Sequence, residues 1–213
     1  MTRLLLLDCD STLSAVEGID ELGRLRGPAI FAEVERMTAE AMEGGTSLET
    51  IFARRLELIR PTRTEVASLA QKYLETAEPD ATNALNRIRA AGWQIAIVSG
   101  GFTEAILPLA NALGIKRVEA VGLHFDATGA YAGFDTQAPT ARSRGKNLVA
   151  QKLRAEFKAT EVVMVGDGAS DLEVKGDADR VIGFGRYAVR AKVKAGADAF
   201  IMRLADLPAL LGA

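Results

Sequence analysis

Apolar runs of strand length recur along this chain, and all but one of the gaps between them suit ordinary α/β connections. The runs fall at residues 4–7, 94–98, 117–121, 161–165 and 180–183, each bounded by turn-forming residues. Strands buried on both faces read as continuous apolar stretches, and parallel neighbours need a helical crossover. The pattern therefore predicts an α/β fold with a doubly wound, mostly parallel sheet and a Rossmann-like core. Helices are expected at 102–113 and 146–157, and Pro108 predicts a kink or a later start in the first of them.

The exception is the first connection, which runs from Asp8 to Gln94, whereas a crossover needs only about a dozen residues plus loops. A helix at 80–91 already supplies that crossover. The surplus holds no convincing strand. Thr46-Ser47-Leu48-Glu49 and Thr62-Arg63-Thr64-Glu65 both fit capping boxes, and Gly27-Pro28 separates two helices. Residues 15–78 are thus expected to form a helical-bundle cap inserted after the first strand, leaving 1–14 and 79–213 as the core. Residues 122–134, centred on Thr128-Gly129, predict a hairpin.

Composition narrows the chemistry. The chain has one cysteine, Cys9, and one histidine, His124, so an intramolecular disulfide and a Cys/His zinc cluster are excluded. Any imidazole-based triad would depend on His124 alone. Lys plus Arg number 26 against 28 Asp plus Glu, and aromatics are 6%, which offers no footprint for nucleic acid. No apolar run is long enough for a membrane span or a signal peptide, so a soluble protein of the reducing cytoplasm is expected. Nothing in the sequence decides between a monomer and a homodimer.

Open α/β sheets bind ligands outside the carboxyl ends of their strands. At those ends stand Asp8-Cys9-Asp10-Ser11-Thr12, Ser99-Gly100-Gly101 and Gly166-Asp167-Gly168-Ala169-Ser170-Asp171, with Lys146 opening the helix before the last. Taken singly, each is an ordinary turn, cap or surface charge. Together they bring several carboxylates to one rim, where they repel unless a cation holds them. Oxygen donors without a soft partner point to Mg²⁺, which leaves room for phosphate. Ser99 with the amides of Gly100 and Gly101 offers a phosphate cradle, and Lys146 adds a point charge. Cys9 alternates away from the two aspartates and reads as packed core, with a thiol pKa raised by its anionic neighbours. His124 lies outside every motif and reads as structural.

The ordered set Asp8-x-Asp10-x-Thr12, Ser99, Lys146 and Gly166-Asp167-Gly168-x-x-Asp171 resembles the haloacid dehalogenase superfamily of aspartyl-nucleophile phosphatases. Glu17-Gly18-Ile19-Asp20-Glu21-Leu22, Met37-Thr38, Met42, Arg55-Leu56, Ser99-Gly100-Gly101-Phe102 and Gly183-Phe184-Gly185 look like its phosphoserine phosphatase family. The likeness runs from Leu4 to about Asp206. It implies Mg²⁺-dependent hydrolysis of O-phospho-L-serine to L-serine and phosphate, the last step of serine biosynthesis, through an aspartyl-phosphate. By resemblance Asp8 is the nucleophile and Asp10 the acid and base, while Ser99, Gly100 and Lys146 hold the phosphoryl oxygens. Mg²⁺ would be held by Asp8, the backbone carbonyl of Asp10 and Asp167, with Asp171 close behind. Glu17 would take the substrate ammonium, Arg55 its carboxylate, Met42 and Leu48 its apolar flank, and Ser170 would add a hydrogen-bonding side chain.

Other readings share parts of this set. Passing the phosphoryl group to another alcohol such as homoserine needs the same first half-reaction, and another small phosphomonoester could be the substrate. A signalling receiver domain also uses an aspartate, acidic metal ligands, a hydroxyl and a lysine, but needs neither the second carboxylate at Asp10 nor a cap. Gly183-Phe184-Gly185-Arg186-Tyr187-Ala188 fits a loose dinucleotide fingerprint, yet lies too near the C-terminus to begin a binding half.

Overall fold

The computed structural model describes residues 2–42 and 48–213, the side chains of 38–42 and 48 excepted. Among the described residues the strands are β1 (Thr2–Leu7), β2 (Trp93–Phe102), β3 (Arg117–Val121), β4 (Leu123–Phe125), β5 (Tyr131–Phe134), β6 (Ala159–Gly166), β7 (Arg180–Phe184) and β8 (Ala199–Ile201). Six of them form one sheet in the order β3-β2-β1-β6-β7-β8, and every neighbouring pair is parallel. The leucines of β1 explain its central place. All four from Leu4 to Leu7 are inaccessible to solvent, with Leu5 and Leu7 in the core on one face and Leu4 and Leu6 in the core on the other. Burying each contributes roughly 1.5–3 kcal/mol, so this strand can only lie mid-sheet. Leu7 pairs with Ile97 on one side and Val165 on the other, which sets the carboxyl ends of β1, β2 and β6 level. The strand order reverses across β1, creating a switch-point crevice above it.

The helices between β1 and β2 are α1 (Gly18–Arg24), α2 (Pro28–Met42), α3 (Leu48–Ile59), α4 (Arg63–Glu75) and α5 (Ala81–Ala90). Leu22, Val34, Phe52, Leu56 and Tyr73 from the first four join the same apolar cluster as Leu5 and Leu7, so these helices share one core with the sheet. The Thr62–Glu65 capping box is present, whereas the one expected at Thr46–Glu49 falls partly outside the described residues. Gly27 has φ +85° just ahead of Pro28, the turn that separates α1 from α2. The hairpin β4–β5 forms as expected and is a separate antiparallel pair. It is tied to the helices by Phe134, edge-on to Phe52 at 5.4 Å, and by the Arg63 amide donating to the Gly129 carbonyl.

Four further helices follow: α6 (Thr103–Ala112), α7 (Gly145–Phe157), α8 (Ala169–Leu172) and α9 (Ala191–Gly196), with α10 (Leu207–Leu210) near the C-terminus. Two expectations need correction. The sheet has a sixth parallel strand, β8, at one edge, formed by three residues of the apolar run Ala199-Phe200-Ile201-Met202. Pro108 lies inside α6 and does not mark its start, so of the two expectations for it the later start is overturned. No helix of the described residues is long and apolar enough to cross a membrane.

Candidate active site

The chain leaves β1 through a tight turn built on Cys9, whose carbonyl accepts from the amides of Thr12, Leu13 and Ser14. Asp8 is fixed within it. Its own amide donates to the Val165 carbonyl at 2.9 Å, and its Oδ1 accepts from the Cys9 amide at 2.7 Å. The alternation expected along the strand holds, because Cys9 is fully buried while Asp8 and Asp10 line one cavity of about 1010 Å³. Burial, then the Asp10 and Asp8 carboxylates, push the Cys9 thiol well up, so it carries no thiolate chemistry. Asp10 accepts from the Gly18 amide at 3.0 Å through Oδ2 and from the Tyr73 hydroxyl through Oδ1.

Lys146, at the start of α7, reaches back over the sheet. Its Nζ lies 2.8 Å from Asp8 Oδ2 and 2.6 Å from Asp171 Oδ1, and all three side chains are nearly inaccessible. The other Asp171 oxygen accepts from the Gly168 amide at 2.9 Å. Two glycines make this possible. A Cβ on Gly166 would stand 2.1 Å from Asp171 Cγ, and one on Gly145 would stand 1.7 Å from the Pro139 carbonyl oxygen. Asp8, Asp167 and Asp171 are buried and each offers an oxygen within 4.8 Å of the others. One ammonium does not balance them. Burial, followed by Asp8, raises the Asp171 carboxyl to about 8 and also lifts Asp167. Burial opposes the Lys146 charge, yet Asp171 and Asp8 outweigh it and leave the ammonium pKa raised. A dry, anionic, all-oxygen donor set of this kind fits a hard divalent cation.

Ser99 is buried in the extended stretch that carries β2 through Ser99-Gly100-Gly101 to Phe102. Its Oγ accepts from the Gly101 amide at 3.1 Å, so that amide is used within the loop, while Ser99 and Gly100 face the same cavity as Asp8 and Lys146. The opposite wall carries charge of both signs. Glu17 accepts from Ser11 Oγ at 2.7 Å, and burial raises its carboxyl to about 7. Arg55, on α3, is buried, with its guanidinium carbon 5.9 Å from the Phe52 ring centre. Burial lowers its pKa, against the Asp20 and Glu17 charges. Ser170 also lines the cavity. The side chains of Met42 and Leu48 lie outside the described residues; the apolar lining that is described includes Ile19, Ile51, Phe52 and Phe102.

Two residues of the site escaped the sequence. Arg190, in the loop after β7, places Nε 3.0 Å from Asp167 Oδ2 and Nη2 3.4 Å from Glu17 Oε1, joining the two ends of the cavity. Tyr73 is a fully buried residue of α4 whose hydroxyl donates to Asp10. His124 is exposed on β4, away from the cavity.

Known proteins resemble this chain in sequence and in fold. The family described as haloacid dehalogenase-like hydrolase matches residues 2–175. Phosphoserine phosphatase of Bos taurus is 38% identical over 208 residues, covering 97% of this chain and 90% of that protein. Among solved structures, a phosphoserine phosphohydrolase-like protein from Francisella tularensis aligns with a TM-score of 0.85 at 26% identity, covering 98% of this chain and 99% of its own. A substrate-bound phosphoserine phosphatase complex aligns at a TM-score of 0.79 and 26% identity, covering 100% of this chain and 98% of that one.

Proposed function

The chain belongs to the haloacid dehalogenase-like hydrolases, and on that premise we propose that it hydrolyses O-phospho-L-serine to L-serine and phosphate with Mg²⁺ as its cofactor. One observation carries the substrate. The cavity that holds Asp8, Asp10 and Lys146 also presents Glu17 and Arg55, an anion and a cation suited to the ammonium and carboxylate of a small amino acid. Residues 15–78 are proposed as the cap that confers this choice, over a core of 1–14 and 79–213. The reaction would supply serine, as the last step of its biosynthesis. The single cysteine, buried and free, suits a cytoplasmic setting.

Asp8 attacks phosphorus in line, and the bond to the serine oxygen breaks as the aspartyl-phosphate forms. Asp10 gives its proton to the departing oxygen. It then takes a proton from the water that attacks phosphorus, which releases phosphate and restores Asp8. Lys146, already seated on one Asp8 oxygen, orients that carboxylate and, with Ser99 and the Gly100 amide, neutralises the transferring phosphoryl oxygens. Asp8, Asp167 and the Asp10 backbone carbonyl would hold Mg²⁺ with Asp171 behind, and the ion would offset repulsion between the nucleophile and an anionic phosphoryl group.

The test is phosphate release from a panel of small phosphomonoesters, with and without Mg²⁺, for wild type and Asp8→Asn. Phosphoserine should be the preferred substrate, turnover should need Mg²⁺, and Asp8→Asn should abolish it. Retained activity in Asp8→Asn, or turnover of bulky phosphoesters with none of phosphoserine, would refute the reading.

A further inference from the structure

A carboxylic acid that must protonate a leaving oxygen works only if its plane is held to within about 10–20° of the productive direction. Asp10 has two donors, and they arrive from two different helices. The Gly18 amide, at the start of α1, serves Oδ2, and the Tyr73 hydroxyl, near the end of α4, serves Oδ1. Together they fix the carboxylate plane, and each oxygen keeps a lone pair for the substrate. Tyr73 is wholly inaccessible to solvent, so its hydroxyl has no bulk water to turn to and an unused polar group would be costly there. The fit is reciprocal. A Cβ at Gly18 would stand 2.3 Å from the Tyr73 hydroxyl oxygen, so the residue that donates to one Asp10 oxygen also leaves the space for the group that donates to the other.

We propose that Tyr73 is a positioning residue for Asp10, so that α4 holds the aim of the acid that frees the serine oxygen. The inference rests on the phosphatase reading of the site. It separates Tyr73 from its neighbours Val66, Leu69 and Ala70, which lie in the same apolar cluster and serve packing.

Tyr73→Phe keeps the ring and removes only the hydroxyl. The discriminating comparison is kcat/KM for phosphoserine against kcat/KM for p-nitrophenyl phosphate, with Mg²⁺ present. Both constants report the steps up to departure of the leaving group. A serine alkoxide needs protonation as it leaves, whereas nitrophenolate does not. Tyr73→Phe should lower kcat/KM for phosphoserine about 10- to 100-fold, part of the ~10²–10⁴ a general acid supplies, and that for the aryl ester less than about 3-fold. The inhibition constant of L-serine should stay at the wild-type value, because Tyr73 lines no part of the cavity. Gly18→Ala, which drives a methyl group into the space of the hydroxyl while keeping the phenol, should show the same selective loss and serves if Tyr73→Phe folds poorly. Equal losses on the two esters, or an unchanged kcat/KM for phosphoserine, would overturn the positioning role. A wild type inert on both esters with Mg²⁺ would instead overturn the phosphatase reading, and the inference with it.

Discussion

Replacing Lys146 by Met tests the electrostatic balance of the site. The ammonium is 6% exposed and touches both Asp8 and Asp171, whose side chains are 10% and 0% exposed. Methionine fills much of the same volume but leaves two buried carboxylates without their cation. Breaking a buried pair in this way costs roughly 3–5 kcal/mol. In a chain of this size 1 kcal/mol moves Tm by about 2–4 °C, so the expected fall is about 6–20 °C. The cost should depend on pH in a fixed direction. Burial and Asp8 already raise the Asp171 carboxyl to about 8, and Lys146 is what restrains it, so the variant must raise it further. An acid whose folded pKa lies above its unfolded value binds more protons in the folded state, and stability drops as pH rises between the two. The deficit relative to wild type should therefore be level from about pH 5 to about pH 8 and widen above about pH 8, where the wild-type carboxyl has ionised and that of the variant has not. Thermal unfolding of both proteins in EDTA at about pH 6 and about pH 9.5 reads this directly. Adding Asp171→Asn should recover part of the loss at the higher pH, with a coupling of about 0.5–3 kcal/mol. A Tm within about 2 °C of wild type at both pH values, or a deficit that shrinks as pH rises, would refute the balance described.

Three other perturbations have definite expectations. Gly145→Ala must push a methyl against the Pro139 carbonyl oxygen at 1.7 Å, so the start of α7 has to shift; a loss of about 1–3 kcal/mol in urea unfolding, with weakened phosphate release, is expected. Arg55→Ala should raise KM for phosphoserine far more than for phosphoethanolamine, which lacks the carboxylate, and equal increases would remove Arg55 from substrate binding. Arg26 and the Thr62 cap hold the Glu65 carboxyl down at about 2, so its stabilisation is complete above the unfolded value near 4.5 and fades as pH falls through about 2. Glu65→Gln should flatten that part of the acid limb of a stability–pH curve, and Thr62→Ala should cost about 1 kcal/mol at neutral pH.

Much of the sheet and the line of residues on its rim was legible because both rest on local signals. Buried parallel strands write themselves as apolar runs, and the residue after each run has to lie at the carboxyl edge. Asp8 and Ser99 were therefore placed by counting alone, Asp167 one residue further on, and the level register of β1, β2 and β6 did the rest. β8 went unread although Ala199-Phe200-Ile201-Met202 is as long an apolar run as Leu4–Leu7, and it is its pairing with β7 that makes it a strand of the sheet. The extension of β2 across Ser99-Gly100-Gly101 was hidden, since glycine is a poor strand former and only the neighbour β3 holds Phe102 extended.

Arg190 and Tyr73 were illegible for a different reason. Each acquires its meaning from a partner far away in the chain: Tyr73 is 63 residues from Asp10, and Arg190 is 23 from Asp167 and 173 from Glu17. Neither belongs to a motif with fixed spacing, and a tyrosine on the apolar stripe of a helix is first of all a packing residue. The two share a physical role nonetheless. The rim carries more carboxylates than Lys146 can balance, and both residues donate to an acidic group that burial has pushed toward the protonated form. Lys146 sits at the start of α7 and is bound to the motif order, whereas Tyr73 comes from α4 and Arg190 from the loop after β7. The Asp8 carboxylate is thus held by the sheet edge and the helix beside it, while the partners of Asp10 and Asp167 come from elements elsewhere in the chain. A change in how α4 packs would alter the aim of Asp10 while leaving Asp8 and Lys146 in place, which is why the leaving group, and not the phosphoryl group, is where its effect should be read.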